Sequence, residues 1–404
     1  MCAFCGTIVG QLYGRHALAL LRPSGVTLWV LPVPSRHHSR RRRSRKSNRT
    51  PLLVGAGLAV LLLGGAATAW VYQEGSEATA AKNPVQSDLA PYTVVVAGID
   101  SLTDGAGGTD WRRYFRQELV GELGDGGPGW ASFSERGAEE HGADFKYGGT
   151  FRPFHLNTPH GSSSLDGEGI AASDGGTFAW SGPEGWDKAR IFYRAQPDGG
   201  TLTCGNGGVA DTSGSGIGWI DVRGSIQCSA SGNVTAFGAL LLSDEPGLVV
   251  VNMARGGRKL ADVAAQDSEL RTQWFAALLP DVFLLNAGTN DWRDDTPATH
   301  EAGLRKVIQA AHRGAPEMQT YLVEHNAFGG TQDAAGSERH LANAAVKKGL
   351  ARELGLSVIE VRDVLGAYSS ARASGLIMDT VHPSDQGNQL LGRHFARQVR
   401  DDLQ

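Results

Sequence analysis

Apolar residues fall along this chain in two textures. The run "YTVVVAG" (92–98) is short and almost continuously apolar, the pattern of a strand buried on both faces. "WRRYFRQELVGELG" (111–124) then sets Trp111, Phe115, Leu119 and Leu123 at helical spacing. After residue 246, "GLVVVNMA", "DVFLLNAG", "MQTYLVEHN" and "LSVIEVRDV" repeat the buried-strand pattern. "DSELRTQWFAALL", "HEAGLRKVIQAAHRGA", "SERHLANAAVKKGLARELG" and "DQGNQLLGRHFARQVRDDL" read as helices between and after them. This alternation predicts a doubly wound α/β domain on a parallel sheet, assembled from residues 91–130 and 246–404. Between them lies the second texture. "ARIFYRAQ", "GIGWIDVRG" and "VTAFGALLL" are separated by Gly, Ser, Asp and Asn turns, with no long amphipathic helix. Residues 131–245 therefore predict an inserted antiparallel β domain, a small sandwich or jelly roll.

Charge changes the reading of the N-terminal part. Residues 1–50 end in the strongly basic "RHHSRRRRSRKSNR" (36–49), and "PLLVGAGLAVLLLGGAATAWVY" (51–72) follows without a charged side chain. A basic stretch before about 20 apolar residues predicts a membrane-targeting segment with its arginines held in the cytoplasm. Two outcomes stay open: a retained helix with Trp70 and Tyr72 at the outer interface, or cleavage near Ala67, Thr68 and Ala69. Either way the remainder is expected outside the cytoplasm, secreted or membrane-anchored, with residues 73–90 as a polar, alanine-rich linker. Residues 1–35 are a cytoplasmic tail or an upstream extension.

Cysteine usage fits that compartment. Cys2 and Cys5 form a CxxC without a partner pair, which argues against a zinc or redox site there. Cys204 and Cys228 are the only cysteines of the exported part, and an oxidising compartment predicts a disulfide between them. Over the whole 404 residues the hydrophobic share is 41% and the net charge −4, which fits a globular protein and argues against nucleic acid as the main partner. The 55 glycines, concentrated mid-chain among valines and aromatics, signal tight turns.

Open α/β sheets bind ligands at the carboxyl ends of their strands, so the polar residues there are the candidates for chemistry. The first strand ends in "GIDSLTDG", with Ser101; the second in "VVVNMARGGRKLADV", with Asn252, Gly256 and Gly257. The third ends in "VFLLNAGTNDWR", with Gly288, Thr289, Asn290 and Asp291. Before the last helix, "IMDTVHPSDQGNQLLG" sets Asp379 and His382 three apart. No His, Asp or Glu cluster has metal-ligand spacing, so no cofactor is implied.

In order and strand context these four segments resemble the SGNH (GDSL-type) hydrolase family over roughly 92–125 and 246–404, which implies a flavodoxin-like core and an esterase. Carried over by that resemblance, Ser101 is the nucleophile, His382 its base and Asp379 the residue that orients His382. The oxyanion donors are the Ser101 and Gly257 N–H groups and the Asn290 amide. Gly257 is preferred to Gly256 because Asn252 and Gly257 reproduce the family's Asn-x-x-x-x-Gly spacing. Asp291 is expected to be structural, bonding its own turn. Ser101 has a bland alternative as the cap of the following helix. Two departures stand out: the first block reads Gly98-Ile99-Asp100-Ser101 where the family has Gly-Asp-Ser, and Ala254 replaces a glycine.

The insertion point and "GDGGPGW" further resemble the subgroup in which a carbohydrate-binding-like β domain interrupts the hydrolase, of which peptidoglycan O-acetylesterases are members. That resemblance implies O-acetyl esters on a cell-wall or extracellular glycan as substrate, with a lipid or simple acyl ester, or a silent glycan-binding role, as alternatives. Trp180, Trp186, Tyr193 and Trp219 are candidates for stacking on sugar rings, with sandwich core the better reading for any one of them.

Overall fold

The computed structural model describes residues 89–105, 109–182, 184–205, 208–324, 329 and 334–403. The basic run, the apolar run, Cys2, Cys5, His325 and nearly all of the linker lie outside them. Among the described residues no helix is long and apolar enough to cross a membrane.

The apolar runs become a five-stranded parallel sheet in the order Leu248–Asn252, Thr93–Ile99, Val282–Asn286, Gln319–Glu324, Ser357–Glu360. The chain thus starts next to the edge and reverses direction across the sheet. The switch lies on either side of Thr93–Ile99, where such sheets open a crevice beyond the strand ends. Side-chain alternation divides that strand between two helical layers. Val94 and Val96 pack with Leu260, Phe275 and Leu304 of the helices Leu260–Ala265, Ser268–Leu278 and Pro297–Gly314. Val95 and Ala97 pack with Trp111, Phe115 and Phe395 of the helices Trp111–Leu123 and Asp385–Val399. Helices on both faces make the sheet doubly wound, as the pattern predicts.

From Gly129 to Leu242 the strands are antiparallel and form two sheets. One has the order Gly216–Arg223, Lys188–Ala195, Val234–Leu242, Gly169–Ala172, Arg152–Phe154, with Gly129–Ser132 also on Val234–Leu242. The other has the order Asp144–Gly149, Gly176–Ser181, Ile226–Ser231, Thr201–Cys204, Gly208–Asp211. Phe133, Phe145, Phe178, Trp180 and Ile191 fill the space between the sheets. Cys204 and Cys228 face each other across paired strands and are joined by the expected disulfide. Closing that loop of 24 residues stabilises the fold by about 3 kcal/mol in the chain-entropy picture.

The sandwich leaves the α/β layer and rejoins it through a narrow neck. Leu248 N–H donates to Gly124 O at 3.0 Å, Gly126 N–H to Leu248 O at 3.1 Å and Ser243 N–H to Gly126 O at 2.9 Å. The two parts nevertheless share one core. Trp274, on the helix Ser268–Leu278, lies with ring centroids 5.7 Å from Trp130, 5.1 Å from Phe192 and 5.3 Å from Phe237 of the larger antiparallel sheet.

The aromatic residues singled out for sugar stacking divide accordingly. Trp180 and Tyr193 are buried in the sandwich core, so neither offers a face to a ligand. Trp186 and Trp219 are half-buried, and Trp219 carries the Arg190 guanidinium over its ring at 5.2 Å.

Candidate active site

Ser101 opens a four-residue helix, Ser101–Asp104, directly beyond the end of the central strand. Its helix is capped by Asp100, whose carboxylate accepts the Leu102 N–H at 3.1 Å. The capping role open to Ser101 in the sequence therefore belongs to its neighbour, and the Ser101 hydroxyl is left for other partners. Ile99, the departure from the family pattern, is fully buried in the core as the last residue of that strand. The insertion of a bulky residue is thus absorbed beneath the turn.

His382 Nε2 lies 3.0 Å from Ser101 Oγ, and His382 Nδ1 lies 2.8 Å from Asp379 Oδ2. The segment carrying both partners is a tight bracket. Met378 N–H donates to His382 O at 2.9 Å, and Asp379 Oδ1 accepts the N–H groups of Val381 and His382, each at 2.7 Å. Beyond Pro383, the Ser384 side chain caps the helix Asp385–Val399, so the bracket is anchored on its far side. Partial burial pushes the Asp379 carboxyl up, but the His382 ring and the two N–H groups outweigh it and hold the carboxyl at about 2. A hydroxyl, an imidazole and an ionised carboxylate in this order form the arrangement by which a serine oxygen loses its proton during attack on an acyl carbon.

The oxyanion candidates come from the two neighbouring strand ends. Asn290 follows the strand Val282–Asn286, and its amide donates one N–H to Arg258 O at 2.9 Å, which fixes the side chain and leaves its second N–H. Gly256 and Gly257 are separated by their bonding. The Gly256 N–H is taken by the Asp104 carboxylate at 2.6 Å, which removes it as an oxyanion donor. Gly257 has a φ of +78°, a left-handed conformation that suits glycine. Fully buried Arg258 pins this loop by donating to Met253 O and to Leu165 O of the sandwich, both at 2.8 Å. Asn252 turns inward and accepts the Ala254 N–H at 2.9 Å.

Asp291 is structural, but not through its own turn alone. Its carboxylate accepts the N–H groups of Leu260 at 2.8 Å and Ala261 at 3.2 Å, the start of the helix Leu260–Ala265. Burial drives this carboxyl up to about 6 against those two hydrogen bonds.

Three further residues steady the site: Asp100 and Asp104, which lie in the first block, and Lys347, which carries no motif signal. Asp104 lies one helical turn after Ser101, and besides Gly256 it pairs with Arg136 of the sandwich helix Glu135–Glu140. Asp100, fully buried, accepts the Thr289 N–H at 3.3 Å and so ties the serine turn to the loop of Asn290. Lys347, on the helix Ala334–Leu354, reaches under the strand ends and donates to Ala287 O at 2.7 Å and Val323 O at 2.9 Å. Burial drives its ammonium down to about 8, against the attraction of Asp100, Glu324 and Asp291. Among the described residues no group of three or more His, Cys, Asp and Glu side chains is placed to hold a metal ion.

The model of the GDSL-like Lipase/Acylhydrolase family matches residues 212–390. That span contains Gly257, Asn290, Asp379 and His382; Ser101 precedes it and meets His382 in space. A solved structure described as a peptidoglycan O-acetylesterase in action is 17% identical, with a TM-score of 0.63 over 77% of this chain and 91% of its own. The fold is therefore shared across both the α/β layer and the insertion. The aryl esterase of M. smegmatis is 17% identical over 38% of this chain and 79% of its own, with a TM-score of 0.31. A carbohydrate acetylesterase from Sinorhizobium meliloti is 18% identical over 38% of this chain and 79% of its own, also with a TM-score of 0.31. No curated protein matches the chain in sequence.

Proposed function

From an ester-hydrolysing enzyme of the GDSL-like type, we propose an extracytoplasmic serine esterase that removes acyl groups, chiefly O-acetyl, from a carbohydrate such as a cell-wall glycan. The 3.0 Å approach of His382 Nε2 to Ser101 Oγ, with Asp379 behind the ring, carries the catalytic part of this reading.

In the first half-reaction Ser101 Oγ bonds to the acyl carbon while its proton passes to His382 Nε2. The carbonyl oxygen becomes an oxyanion facing the N–H groups of Ser101 and Gly257 and the Asn290 amide. Collapse breaks the bond to the alcohol oxygen, which leaves with the proton held by His382. Water then attacks the acyl-serine, gives its proton to the same nitrogen, and the carboxylic acid departs as Ser101 regains its hydrogen. Asp379 keeps the ring in the tautomer that presents a lone pair to Ser101 and stabilises the imidazolium.

The carbohydrate part is supported by the β sandwich, which this chain has in common with a protein described as a peptidoglycan O-acetylesterase. The location is supported by the basic and apolar runs of residues 36–72 and by the Cys204–Cys228 disulfide. Acetate release from O-acetylated peptidoglycan, acetylated xylan and long-chain esters tests the substrate class, with Ser101→Ala as control. Activity confined to long-chain esters overturns the carbohydrate reading. Equal rates for wild type and Ser101→Ala overturn the nucleophile. Recovery of the protein in the cytoplasmic fraction of its own cells overturns the location.

A further inference from the structure

Beside the serine helix an open hollow of about 500 Å³ separates the sandwich from the α/β layer. Its hydrolase wall is close in sequence to the proposed reacting groups, through Asp104, Gly105, Arg255 and Gly256. Gly105 ends the helix that Ser101 begins, and Gly256 directly precedes Gly257. Its opposite wall is supplied by the sandwich, through Arg136 and the segment His155-Leu156-Asn157.

The chemistry of these walls selects a ligand class. Leu156 is the one apolar side chain among the lining residues, so a hydrocarbon tail would gain little by entering. The acids are each matched by an arginine: Asp104 pairs with Arg136, and Glu168 pairs with Arg255. His155 Nδ1 lies 3.6 Å from Glu168 as well. Matched charges give a strongly ionic ligand no net attraction. They do present donors and acceptors side by side, which suits hydroxyl groups, each of which both donates and accepts. A second hollow of about 330 Å³ shares Asp104, Gly105 and Arg136 with the first, which gives the neighbours of a ring in a polymer a way onward.

We propose that the hollow is the subsite for the alcohol side of the ester and takes a neutral, hydroxylated sugar ring, with His155 and Asn157 of the sandwich bonding its hydroxyls. This rests on the carbohydrate reading above and adds where the sugar sits and what holds it. The ring occupies the hollow until Ser101 is acylated. It then leaves with the proton from His382, and the vacated space admits the hydrolytic water.

Both His155 and Asn157 are exposed, so their removal does not open a core. The test compares kcat/KM for a monoacetylated hexose with kcat/KM for ethyl acetate, an ester of an alcohol of comparable leaving ability, in the full chain and in His155→Ala and Asn157→Ala. Loss of one hydrogen bond to the sugar is expected to lower the ratio of the two about five-fold in each variant. A wild-type preference for the sugar ester that both variants retain overturns the subsite and leaves the carbohydrate reading standing. A wild type without any preference for the sugar ester overturns both.

Discussion

The Asp104 carboxylate accepts the Gly256 N–H at 2.6 Å while Arg136, from the inserted sandwich, holds the same carboxylate. One acid thereby fixes the glycine loop to the helix begun by Ser101, and the sandwich braces the pair. Asp104→Ala removes both contacts, and on the proposed mechanism the Gly257 N–H should lose its registration with the serine. Steady-state kinetics on p-nitrophenyl acetate should show kcat lowered about a hundred-fold with KM little changed. Asp104→Asn keeps an acceptor for Gly256 and should fall between this variant and wild type. An unaltered kcat in Asp104→Ala would show that the loop is held by Arg258 alone.

Asn290→Ala deletes the proposed oxyanion donor, whose amide is held by Arg258 O. The expected loss is about 100- to 1,000-fold in kcat with little change in KM, because the interaction strengthens only as charge develops. A change confined to KM would assign Asn290 to ground-state binding instead.

Two carboxylates should respond to pH in opposite senses. Asp379 has a folded pKa of about 2, below its unfolded value, so the stability it contributes is present above about pH 4 and is lost as pH falls toward 2. Asp291 has a folded pKa of about 6, above its unfolded value, so its contribution is present below about pH 4 and is lost as pH rises through 6. The rise for Asp291 corresponds to roughly 3 kcal/mol. Denaturant unfolding of wild type and Asp291→Asn across this range should show the wild type losing ground to the variant between pH 4 and 6. A constant difference would place the Asp291 titration elsewhere.

Lys347→Met leaves the carbonyls of Ala287 and Val323 without their donor and takes a cation from the neighbourhood of buried Asp100. The expected cost is about 3–5 kcal/mol in unfolding free energy. Adding Asp100→Asn should recover part of it, since the carboxylate then needs no counter-charge. Full additivity of the two substitutions would mean that they do not interact.

The parallel sheet was legible because continuous apolar runs and helical spacing are local signals. The Asp379–His382 contact was legible because the two residues are three apart in a segment that carries a pattern of its own. The contacts that steady the site were not. Asp104 and Gly256 are 152 positions apart, and Lys347 meets Ala287 across 60, so no window of sequence joins them. Asp291 was legible as structural, yet its partners Leu260 and Ala261 open a helix about 30 positions earlier in the chain. Trp180 shows the converse limit. Composition marks it as a possible binding aromatic, and only the facing sheet decides that it is core.

The neck at Gly124, Gly126 and Leu248 gives the sandwich the look of a detachable graft, since the chain departs and returns at nearly one point. Joining Gly124 to Gly247 would restore a plain β-α-β crossover. The shared core forbids so simple a cut. Trp274 would lose Trp130, Phe192 and Phe237 together and present a bare indole to water on the helix Ser268–Leu278. A pared-down enzyme therefore requires that helix to be rewritten along with the excision, because the two modules have become each other's solvent.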